Sequence, residues 1–361
     1  MKKILHFIHG LNLGGAENFI FNLLKAIDSS QYRFDFVIQE PEIKHTEFKK
    51  LIEAKGGNIY LIPEFMHNPF GHARELKRLL KRQYDFVHIH MNALINPIPV
   101  IIASNDGCRV IIHSHSTKNG LGGAVGKYVH KTNRQLLIKK DFIRLACSTE
   151  AGRWMFGNHS FQTVPNAIDI NEYCFREEAR RKIREQYNLK DEYVIGQVGR
   201  LIPLKNQSFS LKIFNDLRKK APHLNAKLMI VGDGPDKLAL SNLSEELDLS
   251  GNVIFTGSVL NVCEYYSAFD CFIMPSFFEG LALVAVEAQA SGLKPLVSDT
   301  VTKEINITGF VKHLSLENPR QWVEALIQNS VPYDRQIISG RLSESPFDSN
   351  KLAALMQEIY N

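Results

Sequence analysis

Strand-like apolar runs alternate with helix-like segments along nearly the whole chain, and the pattern is laid down twice. The first set of runs falls near residues 3–9, 34–38, 58–62, 85–90, 109–113 and 143–147, and the second near 193–198, 226–231, 252–255, 271–274 and 295–298. Regular strand–helix alternation predicts parallel sheets covered by helices on both faces, with ligands at the carboxyl ends of the strands. The 361 residues exceed the length at which a single core usually stops growing. The break between the two sets lies in VPNAIDINEY (164–173), where a proline and turn formers interrupt the pattern. The expected division is therefore 1–168 and 169–345, followed by a terminal helix within 346–361.

Within the second set, PSFFEGLALVAVEAQASGL (275–293) carries Glu279 and Glu287 with seven residues between them. If the run turns at Gly280 and becomes helical, one carboxylate stands before the helix and the other within it. The unpaired N–H groups and positive dipole end of such a helix attract a phosphate beside Glu279, while Glu287 can reach a pair of hydroxyls. A buried helix with two incidental carboxylates would carry the same letters.

A second segment asks for the same ligand. VIGQVGRLIPLKN (194–206) reads as a buried strand ending at Gly199, after which Arg200 and Lys205 emerge in a loop. The planar donor fork of arginine and the point charge of lysine together suit the oxygens of a diphosphate. AKLMIVGDGPD (226–236) is another strand that breaks into a Gly-Asp-Gly-Pro turn. In the first set, Gly14 and Gly15 follow the first strand, so the backbone there can approach a ligand closely. His113 and His115 end the strand-like RVIIHSHS and share one side of it, with His115 further out. His88 and His90 in DFVHIHMN form a similar pair and are candidates for an acceptor pocket.

These residues, taken in order, resemble the retaining glycosyltransferases of family 4, with GT-B architecture: Gly14-Gly15-Ala16-Glu17, His115, Gly199-Arg200-Leu201 with Lys205-Asn206, Gly232-Asp233-Gly234-Pro235, and Glu279 to Glu287. The resemblance covers nearly the whole chain. It implies an α/β fold of two Rossmann-like domains facing across a cleft, the first binding acceptor and the second binding nucleotide sugar, with the final helix crossing back to the first domain. It further implies that His115 and Glu279 contact the donor sugar, that Glu287 holds the ribose, and that Arg200 and Lys205 bind the diphosphate. Gly14, Gly15, Gly280, Leu281, Ala282 and Leu283 would complete the substrate contacts. The chain departs from the family pattern at Ala282, where Pro or Gly is frequent, at Ala167 within Asn-Gly-Ile-Asp, and at Lys294, where Pro is common.

The implied reaction moves a sugar, from a UDP-sugar rather than a GDP-sugar, to a hydroxyl of a glycan or lipid-linked glycan in cell-surface polysaccharide biosynthesis. The nucleotide sugar is then a co-substrate and no cofactor is expected. No residue is a convincing covalent nucleophile, so the resemblance favours front-face attack with the departing β-phosphate taking the acceptor's proton. No paired-aspartate motif stands at a strand end, so no metal is expected. A nucleotide-sugar epimerase or a phosphorylase of the same architecture, and a non-catalytic subunit that binds a glycan or another transferase, are the rival classes.

Charge divides unevenly. Residues 1–168 hold 22 Lys and Arg against 13 Asp and Glu, and residues 169–361 hold 21 against 25, within a net charge of +5. The basic excess gathers in HARELKRLLKRQ (72–83) and GKYVHKTNRQLLIKK (126–140). Basic amphipathic helices of this kind either pack on a sheet by their leucines or lie on anionic lipid. Nucleic acid is not expected, because no recognised binding motif accompanies the charge. Five scattered cysteines without a CxxC pair fit reduced thiols. MKKILHFIHGLNLGG reads as a first strand rather than a signal peptide, and no apolar run reaches the roughly 20 residues that span a bilayer. These features predict a cytoplasmic protein, peripheral at most to the inner face of the membrane.

Overall fold

The computed structural model of the chain describes residues 1–12, 14–43, 46–116, 123–279, 281–342 and 345–361. They form two compact units, Met1–Ala167 with Ser349–Asn361, and Ile168–Asp348.

The first unit holds seven strands: β1 (Lys2–Phe7), β2 (Tyr32–Ile38), β3 (Ile59–Leu61), β4 (Phe86–Met91), β5 (Arg109–Ser114), β6 (Ile143–Ala146) and β7 (Gln162–Thr163). All pair in parallel, in the order β3-β2-β1-β4-β5-β6-β7. Because side chains alternate along a strand, the apolar runs serve both faces at once. Ile4, Phe34, Phe36, Phe86 and Ile111 pack on one face with Phe19 and the terminal-helix residues Leu352, Met356 and Tyr360. Leu5, Phe7, Val87, Ile89 and Ile112 pack on the other, against Leu76, Leu79 and Leu80. The basic segment 72–83 thus lies largely in the helix Pro69–Leu80, started by the Asn68 side chain accepting from Gly71 N at 2.8 Å. Its leucines are buried on the sheet, and Arg74 and Arg78 keep 79% and 74% of their side-chain surface in water.

The second unit repeats the plan with β8 (Tyr193–Val198), β9 (Ala226–Val231), β10 (Val253–Gly257), β11 (Cys271–Met274), β12 (Pro295–Ser298) and β13 (Lys312–Leu314). The parallel order is β10-β9-β8-β11-β12-β13. Val194, Met229, Phe272 and Met274 face one core, and Ile195, Leu228, Ile230, Ile273 and Trp322 the other. Each such buried side chain contributes roughly 1.5–3 kcal/mol. In both sheets the strand order reverses beside the first strand, between β1 and β4 and again between β8 and β11. Loops leaving these neighbours diverge to opposite faces and open a crevice at the carboxyl edge. No helix among the described residues is long and apolar enough to cross a membrane, and the five cysteines form no disulfide.

Candidate functional site

At the carboxyl edge of the second sheet, the loop after β8 is pressed against the turn after β9. Gly232 has φ +140°, and a Cβ there would collide with the carbonyl oxygen of Gly199, so only glycine fits. Leu201 N bonds Asp233 O at 2.9 Å and Asp236 N bonds Leu201 O at 3.2 Å, which fixes the loop's path. Its far end is a single 3-10 turn, Pro203–Lys205, closed by Asn206 in the left-handed region at φ +54°. The Asn206 amide donates to Pro275 O at 3.1 Å, Gln197 Nε2 to Lys205 O at 3.0 Å, and Gln207 Nε2 to Arg200 O at 3.0 Å. Three amide side chains therefore hold the backbone on which the two cations ride.

Lys205 and Glu279 meet directly. The ammonium donates to both carboxylate oxygens, at 2.7 and 2.8 Å, and the side chains are only 20% and 10% exposed. The pair ties the loop after β8 to the loop after β11, across the point where strand order reverses. An ammonium has three N–H donors, so a third remains for another oxygen. Arg200, on the same loop, is exposed. The segment before Glu279 is itself anchored: Phe277 N bonds Leu204 O at 2.9 Å, and Thr300 Oγ1 donates to Ser276 O at 3.0 Å.

Gly280 lies outside the described residues. The following helix spans Leu283–Ala290, with Ala282 at its cap and buried, and with Leu281 and Leu283 partly buried against the core. Glu287 stands on this helix and accepts a 2.6 Å hydrogen bond from the Tyr266 hydroxyl. Burial pushes its carboxyl up to about 7, against hydrogen bonds from Tyr266 and Tyr173 that pull it down. The two tyrosine rings meet edge to face at 5.8 Å and are themselves held neutral by burial and by the carboxylate. A buried carboxylate with its pKa raised this far marks Glu287 as a candidate functional residue.

The first unit has its own polar pocket, about 410 Å³, at the equivalent reversal point of its sheet. Gly14, Gly15 and Glu17 come from the loop and helix after β1, His90 and Asn92 from the end of β4, and His115 from the end of β5. The helix Gly15–Ala26 begins here with an extended Gly14 at its cap, and Asn166 Nδ2 secures Gly15 O at 3.0 Å. Desolvation raises the Glu17 carboxyl pKa. A second pocket of about 410 Å³, lined by Gln39, Glu64, Phe65, Met66 and Ile95, shares His9 and Asn92 with the first.

His115 Nε2 lies 2.9 Å from His90 Nδ1, and His90 Nε2 lies 3.0 Å from His6 Nδ1. Burial lowers the His115 pKa to about 3, so the ring is neutral at physiological pH. Of the other candidates, His88 is fully buried with Nδ1 at 2.7 Å from the Tyr360 hydroxyl, and His113 is fully buried, while His90 lines the pocket. Sequence reasoning missed His6, Gln197, Gln207, Tyr173 and Tyr266. The alternation of β1 placed His6 on a core face, but nothing local marked it as a partner of His90. Tyr173 ends a short helix near the start of the second unit and Tyr266 lies on a separate helix, and only the fold brings them to Glu287.

Comparison with known proteins agrees with this layout. Residues 13–172 match the family described as Glycosyltransferase Family 4, and residues 179–328 match Glycosyl transferases group 1. EpsF of Bacillus subtilis (strain 168), whose name assigns it to the glycosyltransferases, is 28% identical over 100% of this chain and 96% of its own. CapH of Staphylococcus aureus, named a capsular polysaccharide biosynthesis glycosyltransferase, is 24% identical over 100% and 99%. The crystal structure of Anabaena HepE in complex with UDP superposes with a TM-score of 0.79 at 17% identity, covering 99% of each chain. With one glycosyltransferase family matched along each unit and full-length relatives of the same kind, the chain belongs to the family-4-like glycosyltransferases of GT-B fold, built from two Rossmann-like domains.

Proposed function

We propose that this chain transfers a sugar, with retention of anomeric configuration, from a UDP-sugar to a hydroxyl of a glycan or lipid-linked glycan during bacterial surface-polysaccharide synthesis. The observation that carries the reading is the Lys205–Glu279 pair, tying two loops together at the reversal point of the second sheet beside exposed Arg200. HepE, of the same fold, has been crystallised with UDP and with UDP-glucose, and CapH carries the capsular role in its name.

In this reading Arg200 and the third N–H of Lys205 neutralise the diphosphate as its bond to the sugar breaks, which lowers the barrier where negative charge develops. No divalent ion is then required at the leaving group. Glu279 holds Lys205 in position with its charge balanced and turns its carboxylate toward the sugar as positive charge grows at the anomeric carbon. Glu287 accepts the ribose hydroxyls from its tyrosine cage. The departing β-phosphate oxygen takes the acceptor's proton, so front-face attack needs no base from the protein. His115, neutral in the pocket of the first unit, serves a sugar hydroxyl there, and the apolar neighbouring pocket with Phe65 and Met66 suits an acceptor with a lipid or deoxy-sugar face.

The exposed Arg74 and Arg78, with Phe70 and Tyr128 at 88% and 72% exposure, support peripheral contact of the first unit with anionic membrane. Co-sedimentation with phosphatidylglycerol vesicles tests it, and failure to sediment at low salt refutes it. The transfer itself is tested by incubating the protein with a panel of nucleotide sugars and the producing organism's lipid-linked glycans. Mass spectrometry should detect one added sugar and release of UDP. Bound nucleotide without any product across the panel would argue for the non-catalytic reading.

A further inference from the structure

The residues that follow β4 make a wall of the apolar pocket in the first unit. Asn92, Ala93, Ile95 and Asn96 line that pocket, Asn92 lines the polar one as well, and Leu94 among them is buried. Lying between β4 and the helix Ile98–Asn105, the stretch has no ladder of its own to bond its peptide groups. Side chains of two distant helices, Ala124–Leu137 and Thr149–Phe156, serve them instead. His130 Nδ1 accepts from Leu94 N at 3.0 Å, Asn133 Nδ2 donates to Leu94 O at 2.8 Å and to Ile95 O at 3.3 Å, and Trp154 Nε1 donates to Asn92 O at 3.0 Å.

The three side chains are also fixed to one another. Because His130 Nδ1 accepts, the ring proton sits on Nε2, which donates to Trp154 O at 3.1 Å. The His130 and Trp154 rings stack at 4.3 Å and 3° from parallel. A further histidine joins the loop to the pocket's other lining segment: His72, wholly buried, donates from Nδ1 to Pro63 O at 2.8 Å and accepts at Nε2 from Asn96 Nδ2 at 3.1 Å. Pro63 immediately precedes the lining residues Glu64, Phe65 and Met66.

Buried peptide groups need partners in any fold, but these bonds all converge on one pocket wall. Neither His130, Asn133 nor Trp154 lines either pocket, so whatever they do for a ligand runs through the loop. A reactant displaced by about 1 Å can lose about a hundredfold in rate, which makes the exact shape of such a wall matter. We infer that His130, Asn133 and Trp154 are positioning residues for the acceptor. They hold residues 92–96 in the shape that receives the apolar part of a glycan acceptor, and they present Asn92, shared by the two pockets, to its sugar. The inference rests on the assignment of this pocket to the acceptor under the proposed function.

The test compares the full-length parent with Trp154→Phe, Asn133→Ala and Trp322→Phe. Trp154→Phe keeps a ring against His130 and deletes the N–H that Asn92 O accepts, and Asn133→Ala frees Leu94 O and Ile95 O. Trp322 Nε1 makes a bond of the same kind in the second unit, to Ser315 O at 3.0 Å, so Trp322→Phe controls for a lost indole bond away from the pocket. The probe is n-octyl β-D-glucoside below its micelle concentration, a sugar with an apolar tail, followed by ligand-observed NMR, with UDP titrated in parallel. Saturable binding to the parent is expected, about tenfold weaker in Trp154→Phe and in Asn133→Ala and unchanged in Trp322→Phe, with equal UDP affinity throughout. In turnover the two pocket variants should raise KM for the lipid-linked glycan and leave KM for the nucleotide sugar constant, whereas a purely structural defect would lower kcat and leave both KM values. Trp322→Phe also leaves Trp154 as the one tryptophan of the chain, and its emission should shift as octyl glucoside saturates, a readout that needs neither pocket variant to fold. An unshifted emission, equal binding in the parent and the folded pocket variants, or no binding to the parent overturns the inference. UDP binding by the parent would leave the transferase reading standing in each of those cases, and its absence would count against that reading instead.

Discussion

The tyrosine-caged Glu287 makes a prediction with two opposite signs. Its carboxyl pKa is raised from 4.5 to about 7, a shift equivalent to at most about 3 kcal/mol, less what its partial exposure screens away. Because the folded value lies above the unfolded one, this stabilising contribution is complete below pH 4.5 and is lost as pH rises through 7. Glu287→Gln preserves the size of the side chain and an acceptor for Tyr266, and cannot ionise. The variant should therefore melt higher than the parent at about pH 8, and the gap should close toward about pH 5. Nucleotide binding should move the other way. If the ionised carboxylate accepts the ribose hydroxyls, the variant binds UDP more weakly by about 1–3 kcal/mol above neutrality. In the parent at about pH 6 roughly one carboxylate in ten is ionised, so the advantage over the variant should shrink by up to about tenfold there. Calorimetric titration of both proteins across the range cancels the titration of UDP's own phosphate, which the two share. Parallel pH profiles for parent and variant, or a variant that is less stable above neutrality, would refute this account of Glu287.

Glu279→Gln removes the counter-charge of Lys205 without touching the diphosphate, so UDP should bind at least as tightly as before while turnover falls about a hundredfold; a weakened titration of bare UDP would place Glu279 in nucleotide binding instead. Adding excess Mg2+ or Mn2+ to chelator-treated enzyme should leave the transfer rate unchanged, since the cations of the loop after β8 serve the leaving group, and a large stimulation would contradict that role. Arg184 is 8% exposed, reaches Asp270 and donates to the carbonyls of Lys190, Glu192 and Ala268. Arg184→Ala should destabilise the second unit by about 3 kcal/mol in denaturant unfolding, and a loss below about 1 kcal/mol would show that the network contributes little.

Much of the fold was legible because parallel strands buried on both faces announce themselves as uninterrupted apolar runs. The eleven expected strands all appear, within a few residues of the reading. The two that were not expected, β7 and β13, are two and three residues long and lie at sheet edges, where a strand is defined by its neighbour more than by its own pattern. At the candidate site the letters pointed to charged side chains at strand ends, but not to their pairing. Lys205 and Glu279 are 74 residues apart, and the contact depends on β8 and β11 being neighbours despite two intervening strands. The cage around Glu287 was equally hidden, because Tyr173 falls in the segment read as the break between the two sets and Tyr266 carries no signal of its own, and both reach Glu287 only when the helices pack. The histidines show the limit most clearly: period-two spacing in His88/His90 and His113/His115 was visible, while their assembly with His6 into one buried layer follows only from strand order and register.

The central claim, that the reversal point of the second sheet holds a nucleoside diphosphate, is tested most directly by titrating UDP into the parent protein and into Arg200→Ala. Arg200 is exposed and outside the core, so the variant should fold with unchanged stability. The account predicts saturable binding to the parent and a loss of about 2–5 kcal/mol in the variant. An Arg200→Ala protein that binds UDP as tightly as the parent, or a parent that binds no nucleoside diphosphate, would contradict it.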